Sequence, residues 1–358
     1  MNLLELGWNA DWQRGFNQLA SPELAPARVI SVLKDHYRLR METGEVLAKL
    51  SGRYSFEVGT RSELPAVGDW VAVEDIGANR AIIHHVLPRR TKVSRKAAGR
   101  ELEEQVIAAN VDTVFIISAL THEFNVRRIE RYLALVWDSG AQPVIVLNKA
   151  DMATDIAATT AELEFVAPGV SVHVMSATEG FGLDSLQGYL TPGQTVAFVG
   201  SSGVGKSTIL NRLLGQELQP TLPVREHDDR GRHTTTSRQL FALSNGGMVI
   251  DTPGMRELQL WEVDDGLASA FDDIEEMATG CRYRDCAHKS EPGCAVRGAV
   301  DSGLLAQARL ENFFKLQAEQ KFLDRKLDVQ VDQSEKSRIK KLCNNAREAS
   351  RRKRTTSM

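Results

Sequence analysis

The stretch Gly200-Ser201-Ser202-Gly203-Val204-Gly205-Lys206-Ser207-Thr208 matches the phosphate-binding pattern G-x-x-x-x-G-K-[S/T] at every fixed position. A short apolar run over 195–199 precedes it, and apolar residues at helical spacing follow it. We therefore predict a strand, a glycine loop and a helix. The loop amides surround the phosphates, Lys206 adds positive charge and the Ser207 hydroxyl ligates Mg²⁺. The alternative, a plain glycine-rich turn before a helix, rarely satisfies every fixed position and both flanks.

Two upstream motifs indicate that the nucleotide carries guanine. Asn148-Lys149-Ala150-Asp151 ends an apolar strand at 142–147, so the Asp151 carboxylate can accept two N–H groups that guanine offers and adenine does not. Lys149 is expected along the base, and Asn148 is expected to brace the loops. Ser176-Ala177-Thr178 follows another strand at 170–175 and matches a short loop whose backbone amides back the base. Strands alternating with helices here indicate a parallel α/β sheet, and Asp151 disfavours an ATP-using enzyme.

Two downstream motifs fit a sensor of the γ-phosphate. A charged segment at 224–232 leads into His233-Thr234-Thr235-Thr236, where Thr235 is expected to reach Mg²⁺ and the γ-phosphate; a plain β-prone threonine run is the alternative. A strand at 248–250 leads into Asp251-Thr252-Pro253-Gly254, where Asp251 holds Mg²⁺ through water and the Gly254 amide senses the γ-phosphate. The base-reading motif precedes the phosphate loop, so the motif order is circularly permuted relative to ordinary guanine-nucleotide switch proteins.

The spacing Cys281-x4-Cys286-x-His288-x5-Cys294 supplies three thiolates and one imidazole within fourteen residues. Such a set fills all four positions of a tetrahedral Zn²⁺ ion and predicts a structural site. Buried free cysteines beside an exposed histidine are the alternative. Four cysteines in 358 residues exclude a disulfide-rich secreted scaffold.

The N-terminal part has a different pattern of apolar and polar residues. Trp8, Trp12 and Phe16 are spaced by four and predict a helix face that docks on the body of the protein or on a partner. Five alternating β segments between residues 27 and 90 predict an OB-like β-barrel. Its basic and aromatic residues predict nucleic-acid contact, against the alternative of a solvated surface: Arg28, Lys34, His36, Tyr37, Arg38, Arg40, Lys49, Arg53, Tyr54 and Arg61. The basic run at 88–96 is either a solvated linker or a phosphate contact.

The predicted protein is multidomain. We expect an N-terminal extension (1–25), the OB-like barrel (26–90), a circularly permuted α/β P-loop GTPase domain (91–265), a mainly α zinc-binding domain (266–328) and a basic tail (329–358). Residues 302–327 are expected to be helical, with Leu304, Leu305, Ala308, Phe313, Leu316 and Phe322 available for packing. The tail either engages nucleic-acid phosphate or is solvated.

Charge and termini limit the function classes. A formal net charge of −3 gives no global attraction to nucleic acid, so any such contact is local. The N-terminus lacks the features of a signal peptide, and no apolar stretch approaches 18 residues. We expect a monomer in the cytoplasm without membrane contact.

The barrel, the permuted GTPase motifs and the Cys3His segment, in this order, resemble the ribosome small-subunit-dependent GTPase A (RsgA) family. The resemblance implies an assembly factor that binds the small ribosomal subunit and its rRNA late in maturation. It further implies GTP hydrolysis to GDP and phosphate that the subunit stimulates, followed by departure. The functional alternative is an RNA-binding regulatory protein whose GTP site is mainly a conformational sensor.

Met255 stands near the position where Ras-like enzymes carry the glutamine that orients water. A methionine thioether cannot do this, and the resemblance points to His233 instead. An imidazole titrating near neutrality is suited to orienting water or shuttling a proton. A ribosome contact or a structural role are the alternatives for His233.

Overall fold

The structure, a computed structural model, describes residues 2–19, 21–97, 103–122, 124–215, 238–251 and 264–327. Several predicted features lie outside these residues: His233, the threonine run with Thr235, the loop residue Gly254 and the basic tail. The domain limits given above stay predictions.

A closed five-stranded barrel forms the N-terminal part, as the sequence predicted. Its strands are β1 (Ala25–Val32), β2 (Tyr37–Met41), β3 (Gly44–Leu50), β4 (Trp70–Gly77) and β5 (Arg80–Val86). They pair in the order β1-β2-β3-β5-β4, and β4 pairs back onto β1 to close the barrel. Alternating apolar side chains fill its interior, including Val29, Leu39 and Ile83.

The helix before the barrel docks on the body of the protein. Helix α1 (Ala10–Asn17) begins after Asn9, whose side chain caps its first turn, so Trp8 precedes the helix rather than lying on its face. The Trp8 and Trp12 rings pack on Trp70 of the barrel, with centroid separations of 4.7 and 6.4 Å. A second short helix, α2 (Gly52–Glu57), follows β3.

The basic run after the barrel is not a solvated linker. It contains β6 (Lys92–Lys96), which pairs with β7 (Glu104–Ala109) in a hairpin that the sequence pattern did not predict. The Arg89 guanidinium binds the fully buried Asp69 carboxylate at 2.7 Å and also donates to the carbonyls of Ser62 and Leu64. This ion pair fixes the chain as it leaves the barrel.

A six-stranded sheet follows, as predicted for the α/β part. Its strands are β8 (Thr113–Ala119), β9 (Gln142–Asn148), β10 (Ser171–Val174), β11 (Thr195–Val199), β12 (Gln239–Ala242) and β13 (Met248–Asp251). The order is β10-β9-β8-β11-β13-β12, parallel except for β12. Helices α3 (Val126–Asp138), α4 (Ile156–Val166) and α5 (Lys206–Leu214) connect the strands. The carboxyl ends of the parallel strands share one edge, where ligands bind in such sheets.

The C-terminal part is helical, as predicted. It contains α6 (Asp264–Ala270), α7 (Asp272–Ala278), α8 (Ala295–Asp301) and a helix over 307–327, named α9 here. Leu305, Phe313 and Leu316 are buried, but Leu304 and Phe322 are 61% and 57% exposed, so their predicted packing is wrong. Within the residues described, no helix combines the length and apolar character that a membrane span needs.

The barrel and the α/β sheet meet along β1. Ser31 of β1 pairs with Gln239 of β12, so the two sheets form one eleven-stranded sheet. Strand β1 is covered on both faces, and this buries Arg28 although the sequence pattern placed it on a nucleic-acid surface. Arg28 instead donates to Thr195 Oγ1 at 2.8 Å and to carbonyls including that of Asn110, and burial lowers its pKa to about 10.

Tyr37, predicted for the same surface, is buried in the barrel core. Five other residues of the predicted surface are exposed: Lys34, Arg38, Lys49, Arg53 and Arg61. Nucleic-acid contact by the barrel therefore stays a prediction that these residues carry.

Candidate nucleotide and metal sites

The phosphate loop joins β11 to α5 through backbone that only glycine adopts easily. Gly200, Gly203 and Gly205 have φ values of +147°, +77° and +98°. A Cβ at Gly200 would lie 2.2 Å from the Ile117 carbonyl oxygen, and one at Gly205 would lie 2.2 Å from Asn148 Nδ2. The loop consequently packs on two neighbouring strands with no room for a side chain at these positions.

The Lys206 ammonium lies over the loop. Its Nζ donates to the carbonyl oxygens of Gly200 at 2.7 Å and Ser201 at 2.6 Å. The positive charge of this ammonium at the loop favours binding of a phosphate group there. Ser207 follows in the first turn of α5, where backbone N–H groups favour an anion. Asp251 ends β13, next to β11 in the sheet, and is buried.

Asn148 connects three loops at this edge. It is 2% exposed, its Nδ2 donates to the Val204 carbonyl of the phosphate loop at 2.8 Å, and its Oδ1 accepts from the Ala177 amide at 3.0 Å. One side chain thus sets the distance between the base-reading loop, the Ser-Ala loop and the phosphate loop. Lys149 next to it takes the left-handed conformation with φ of +63°.

Asp151 is exposed to solvent at the same edge, where a base can reach it. The Ser176 hydroxyl donates to its Oδ1, and the Ala150 amide donates to the Met175 carbonyl at 3.1 Å. The Ser-Ala loop therefore orients this carboxylate.

Two arginines that the sequence patterns did not single out contact these loops. Arg212 of α5 donates to the carbonyls of Ala177 at 3.0 Å and Thr178 at 2.6 Å, and Arg128 of α3 donates to Ser201 Oγ at 2.7 Å. Both lie far in sequence from the loops they touch, and no spacing in the sequence indicates such a contact.

Together, the structure brings Asn148, Lys149, Asp151, Ser176 and Ala177 to the edge that holds residues 200–208 and Asp251. Of the predicted nucleotide-site residues, Thr235 and Gly254, and the predicted catalytic His233, lie outside the described part of the chain.

The four predicted metal ligands converge between α7 and α8. The ligand atoms of Cys281, Cys286, His288 and Cys294 all lie within 4.8 Å of one another. His288 Nδ1 lies 3.6 Å from Cys281 Sγ and 3.4 Å from Cys294 Sγ, and these two sulfurs are 3.9 Å apart. A tetrahedral Zn²⁺ ion requires sulfur–sulfur separations of about 3.8 Å and sulfur–nitrogen separations of about 3.6 Å. The cluster can therefore hold a metal ion of this kind.

The surroundings shift the pKa values of two of the thiols in opposite directions. Burial works to raise the pKa of the Cys281 thiol, but hydrogen bonds from the backbone amides of Val296 and Ala295 outweigh it, so the pKa is lowered. Burial raises the pKa of Cys286 to about 11, and the neighbouring sulfurs add to this shift. Cysteine ligates a metal ion as the thiolate, so metal binding at Cys286 would release its proton.

Comparison with known proteins agrees with this architecture. A family profile described as RsgA GTPase matches residues 86–261. The small ribosomal subunit biogenesis GTPase RsgA of Opitutus terrae is 46% identical over 352 residues, which cover 96% of each chain. The small ribosomal subunit biogenesis GTPase RsgA 2 of Lactiplantibacillus plantarum is 49% identical over 295 residues, covering 82% of this chain and 83% of that protein.

Two solved structures share the fold. YjeQ from Thermotoga maritima superposes with a TM-score of 0.62 at 29% identity, covering 83% of this chain and 98% of that one. The circularly permuted GTPase YloQ superposes with a TM-score of 0.60 at 24% identity, covering 85% and 96%.

Proposed function

The chain belongs to the RsgA GTPase family and is a GTPase, and from this premise we propose that it acts in late maturation of the small ribosomal subunit. In the proposal it binds the subunit and its rRNA, and the subunit stimulates hydrolysis of GTP to GDP and phosphate. The names of the curated relatives, small ribosomal subunit biogenesis GTPases, support this. We infer that it works in the cytoplasm as a monomer.

The nucleotide-binding roles are assigned to the residues of the loop edge. Asp151 reads guanine, Lys149 lies along the base, and the amides of the Ser176-Ala177 loop back it. Residues 200–208 hold the phosphates. The observation that carries this assignment is the Asn148 side chain, because its two hydrogen bonds fix the base-reading and phosphate loops relative to each other.

Mg²⁺ is proposed on Ser207 and Asp251. These are a hydroxyl and a carboxylate, the oxygen ligands that the ion prefers, on the neighbouring elements β11–α5 and β13. When bound, the ion neutralises charge on the β- and γ-phosphates. The protein's own part is to hold these oxygens beside Lys206.

Hydrolysis is assigned to a water oriented by His233, with Thr235 and the Gly254 amide sensing the γ-phosphate. This assignment rests on the sequence, where Met255 leaves the usual glutamine position without a polar group. Zn²⁺ is proposed on Cys281, Cys286, His288 and Cys294 as a structural ion, because four protein ligands leave no position for water.

Turnover measured against titrated ribosomal subunits tests the proposed function. We expect small subunits to stimulate GTP hydrolysis and large subunits to leave it unchanged. An Asp151→Asn variant provides a matched control, because it should prefer xanthosine triphosphate, which lacks the guanine 2-amino group. Small subunits should then stimulate xanthosine triphosphate turnover by this variant, which excludes a contaminating GTPase. Equal response to both subunits would contradict the proposal.

A further inference from the structure

Helix α3 contacts the phosphate loop at Ser201. The Arg128 Nη1 donates to Ser201 Oγ at 2.7 Å, and the buried Tyr132 side chain also hydrogen-bonds Ser201. The carbonyl oxygen of Ser201 accepts from Lys206 Nζ. Ser201 is therefore held by α3 through its side chain and by the nucleotide-binding lysine through its backbone.

The opposite side of α3 is tied to the C-terminal helices by buried charge. Glu130 is fully buried and accepts from Arg309 Nη1 at 2.8 Å and from Asn312 Nδ2 at 2.6 Å, both on α9. Arg309, also fully buried, continues to Asp273 of α7 at 2.6 and 2.8 Å. This chain of ion pairs links α3 to the elements next to the metal cluster.

A second ion pair and close backbone packing join the same elements. Arg131 of α3 binds Glu319 of α9 at 2.7 Å. Gly266 of α6 lies so close to α3 that a Cβ there would be 2.0 Å from the Ala134 carbonyl oxygen. Helix α3 is thus held from two sides.

These contacts make α3 a rigid connection over a short distance. Glu130 lies two residues from both Arg128 and Tyr132, so the helical turn that hydrogen-bonds to Ser201 also forms the ion pair with Arg309 of α9. Glu130 also pairs with Arg127 of α3, but separating it from Arg309 would still break a fully buried ion pair between the two helices, which is costly. We therefore expect a displacement of α9 to shift Arg128 relative to the phosphate loop.

We propose that Arg128 is a positioning residue for nucleotide binding and hydrolysis, and that α3 transmits displacement of the zinc-bearing C-terminal helices to the phosphate loop. The proposal rests on the GTPase activity of the family and not on the assignment to the small subunit. It is therefore tested without ribosomes, and its failure would leave the proposed function untouched.

The local contact is tested by release of a fluorescent GDP analogue. Arg128→Ala should speed release about fivefold, the size of one hydrogen bond. Ser201→Ala also loses the bond with Tyr132 and should speed release at least as much, and the double variant should be no faster than Ser201→Ala. Arg128→Lys should restore part of the effect, because an ammonium can also donate to Ser201 Oγ. Arg14→Ala, which removes an exposed arginine of α1, is the matched control and should release GDP as the wild type does. Wild-type release by Arg128→Ala would overturn the positioning role.

Substitutions in α9 test whether α3 transmits displacement of the C-terminal helices to the phosphate loop. Asn312→Ala removes one hydrogen bond to Glu130 without removing a charge, and it should speed GDP release in the wild type but not in an Arg128→Ala background. Gln307→Ala is the matched control, because its side chain is exposed and hydrogen-bonds to Glu311 of the same helix.

Equal GDP release by the Asn312 and Gln307 variants would overturn the transmission, and so would an Asn312 effect that persists unchanged without Arg128. If Asn312→Ala does not fold, Glu319→Gln probes the same connection through the Arg131 ion pair and carries the same expectations. Thermal unfolding of each variant separates a loss of stability from a change at the phosphate loop. A lowered melting temperature with normal GDP release would contradict the proposal.

Discussion

Replacing Asn148 by Asp tests how far one buried amide determines nucleotide affinity. The change keeps the shape of the side chain, and one oxygen can still accept from the Ala177 amide. The other contact fails, because the Nδ2 that donates to the Val204 carbonyl at 2.8 Å becomes an oxygen facing an oxygen. Asn148 is 2% exposed, so water cannot replace the lost bond.

The size of the effect follows from that unpaired carbonyl. Leaving a buried acceptor unsatisfied costs about 1–3 kcal/mol, and each 1.4 kcal/mol is about tenfold in affinity. In the free protein the phosphate loop can move away from the carboxylate, whereas bound nucleotide requires the loops together. We therefore expect the Kd for GDP to rise by about tenfold or more. Any part of the cost that also falls on the nucleotide-free protein should lower its melting temperature by about 2–4 °C per kcal/mol.

Titration with a fluorescent GDP analogue measures the loss of affinity, and thermal unfolding measures the loss of stability of the free protein. Asn9→Asp is the matched control, because Asn9 Oδ1 only accepts hydrogen bonds, from the amides of Asp11 and Trp12 and from Arg90. A carboxylate serves there equally well. An Asn148→Asp protein with unchanged affinity and unchanged melting temperature would refute the bracing role of the amide.

Three further changes test other parts of the molecule. Cys286→Ser should lower bound zinc well below one ion per chain, as measured by metal analysis, and lower the melting temperature. Gly200→Ala should abolish GDP binding in the same titration, because its Cβ would lie 2.2 Å from the Ile117 carbonyl oxygen at a φ of +147°. Burial raises the pKa of Tyr54 to about 12, so the folded state keeps its proton where the unfolded state loses it. Stability from Tyr54 should be complete below pH 10 and disappear between pH 10 and about 12, and Tyr54→Phe should flatten that part of a urea-unfolding profile.

For each of these three predictions, one result would contradict the expectation. Cys343→Ser should keep the zinc, since the predicted set of four ligands is complete without Cys343, and equal zinc loss from both cysteine variants would contradict a specific site. Gly188→Ala should bind GDP normally, because a Cβ at Gly188 would have no other atom within 4 Å, and GDP binding by Gly200→Ala would show that the loop can shift. A Tyr54→Phe profile parallel to that of the wild type would show that other groups control alkaline unfolding.

Local patterns predicted the elements of this fold well because each element is determined by neighbours in sequence. The phosphate loop, for example, needs glycines, a preceding apolar strand and a following helix, and all are contiguous. Alternation of apolar residues likewise predicted the five barrel strands, including β1. What alternation does not reveal is whether a second body covers the other face of a strand.

Arg28 shows that limit. Its alternation marks it as outward-facing on the barrel, but the outward face of β1 lies against the α/β sheet. Its acceptors come from remote segments, among them Asn110 and Thr195. Arg89 belongs to the basic run that was predicted to be a solvated linker or a phosphate contact. Its partner Asp69 is buried by the fold, and no spacing in the sequence indicates that the two residues pair. The contact of Arg128 with Ser201 likewise depends on a helix packing angle that no pattern within α3 encodes.

The pairing of β1 with β12 also protects an edge. Strand β12 is the last strand of the α/β sheet, and β1 of the barrel covers the side of it that faces away from β13. An α/β part produced without residues 1–90 would expose this strand, with its unpaired N–H and C=O groups, to other chains. We therefore expect an α/β part that is cut from the barrel to self-associate through this edge, which sedimentation of the truncated protein would show.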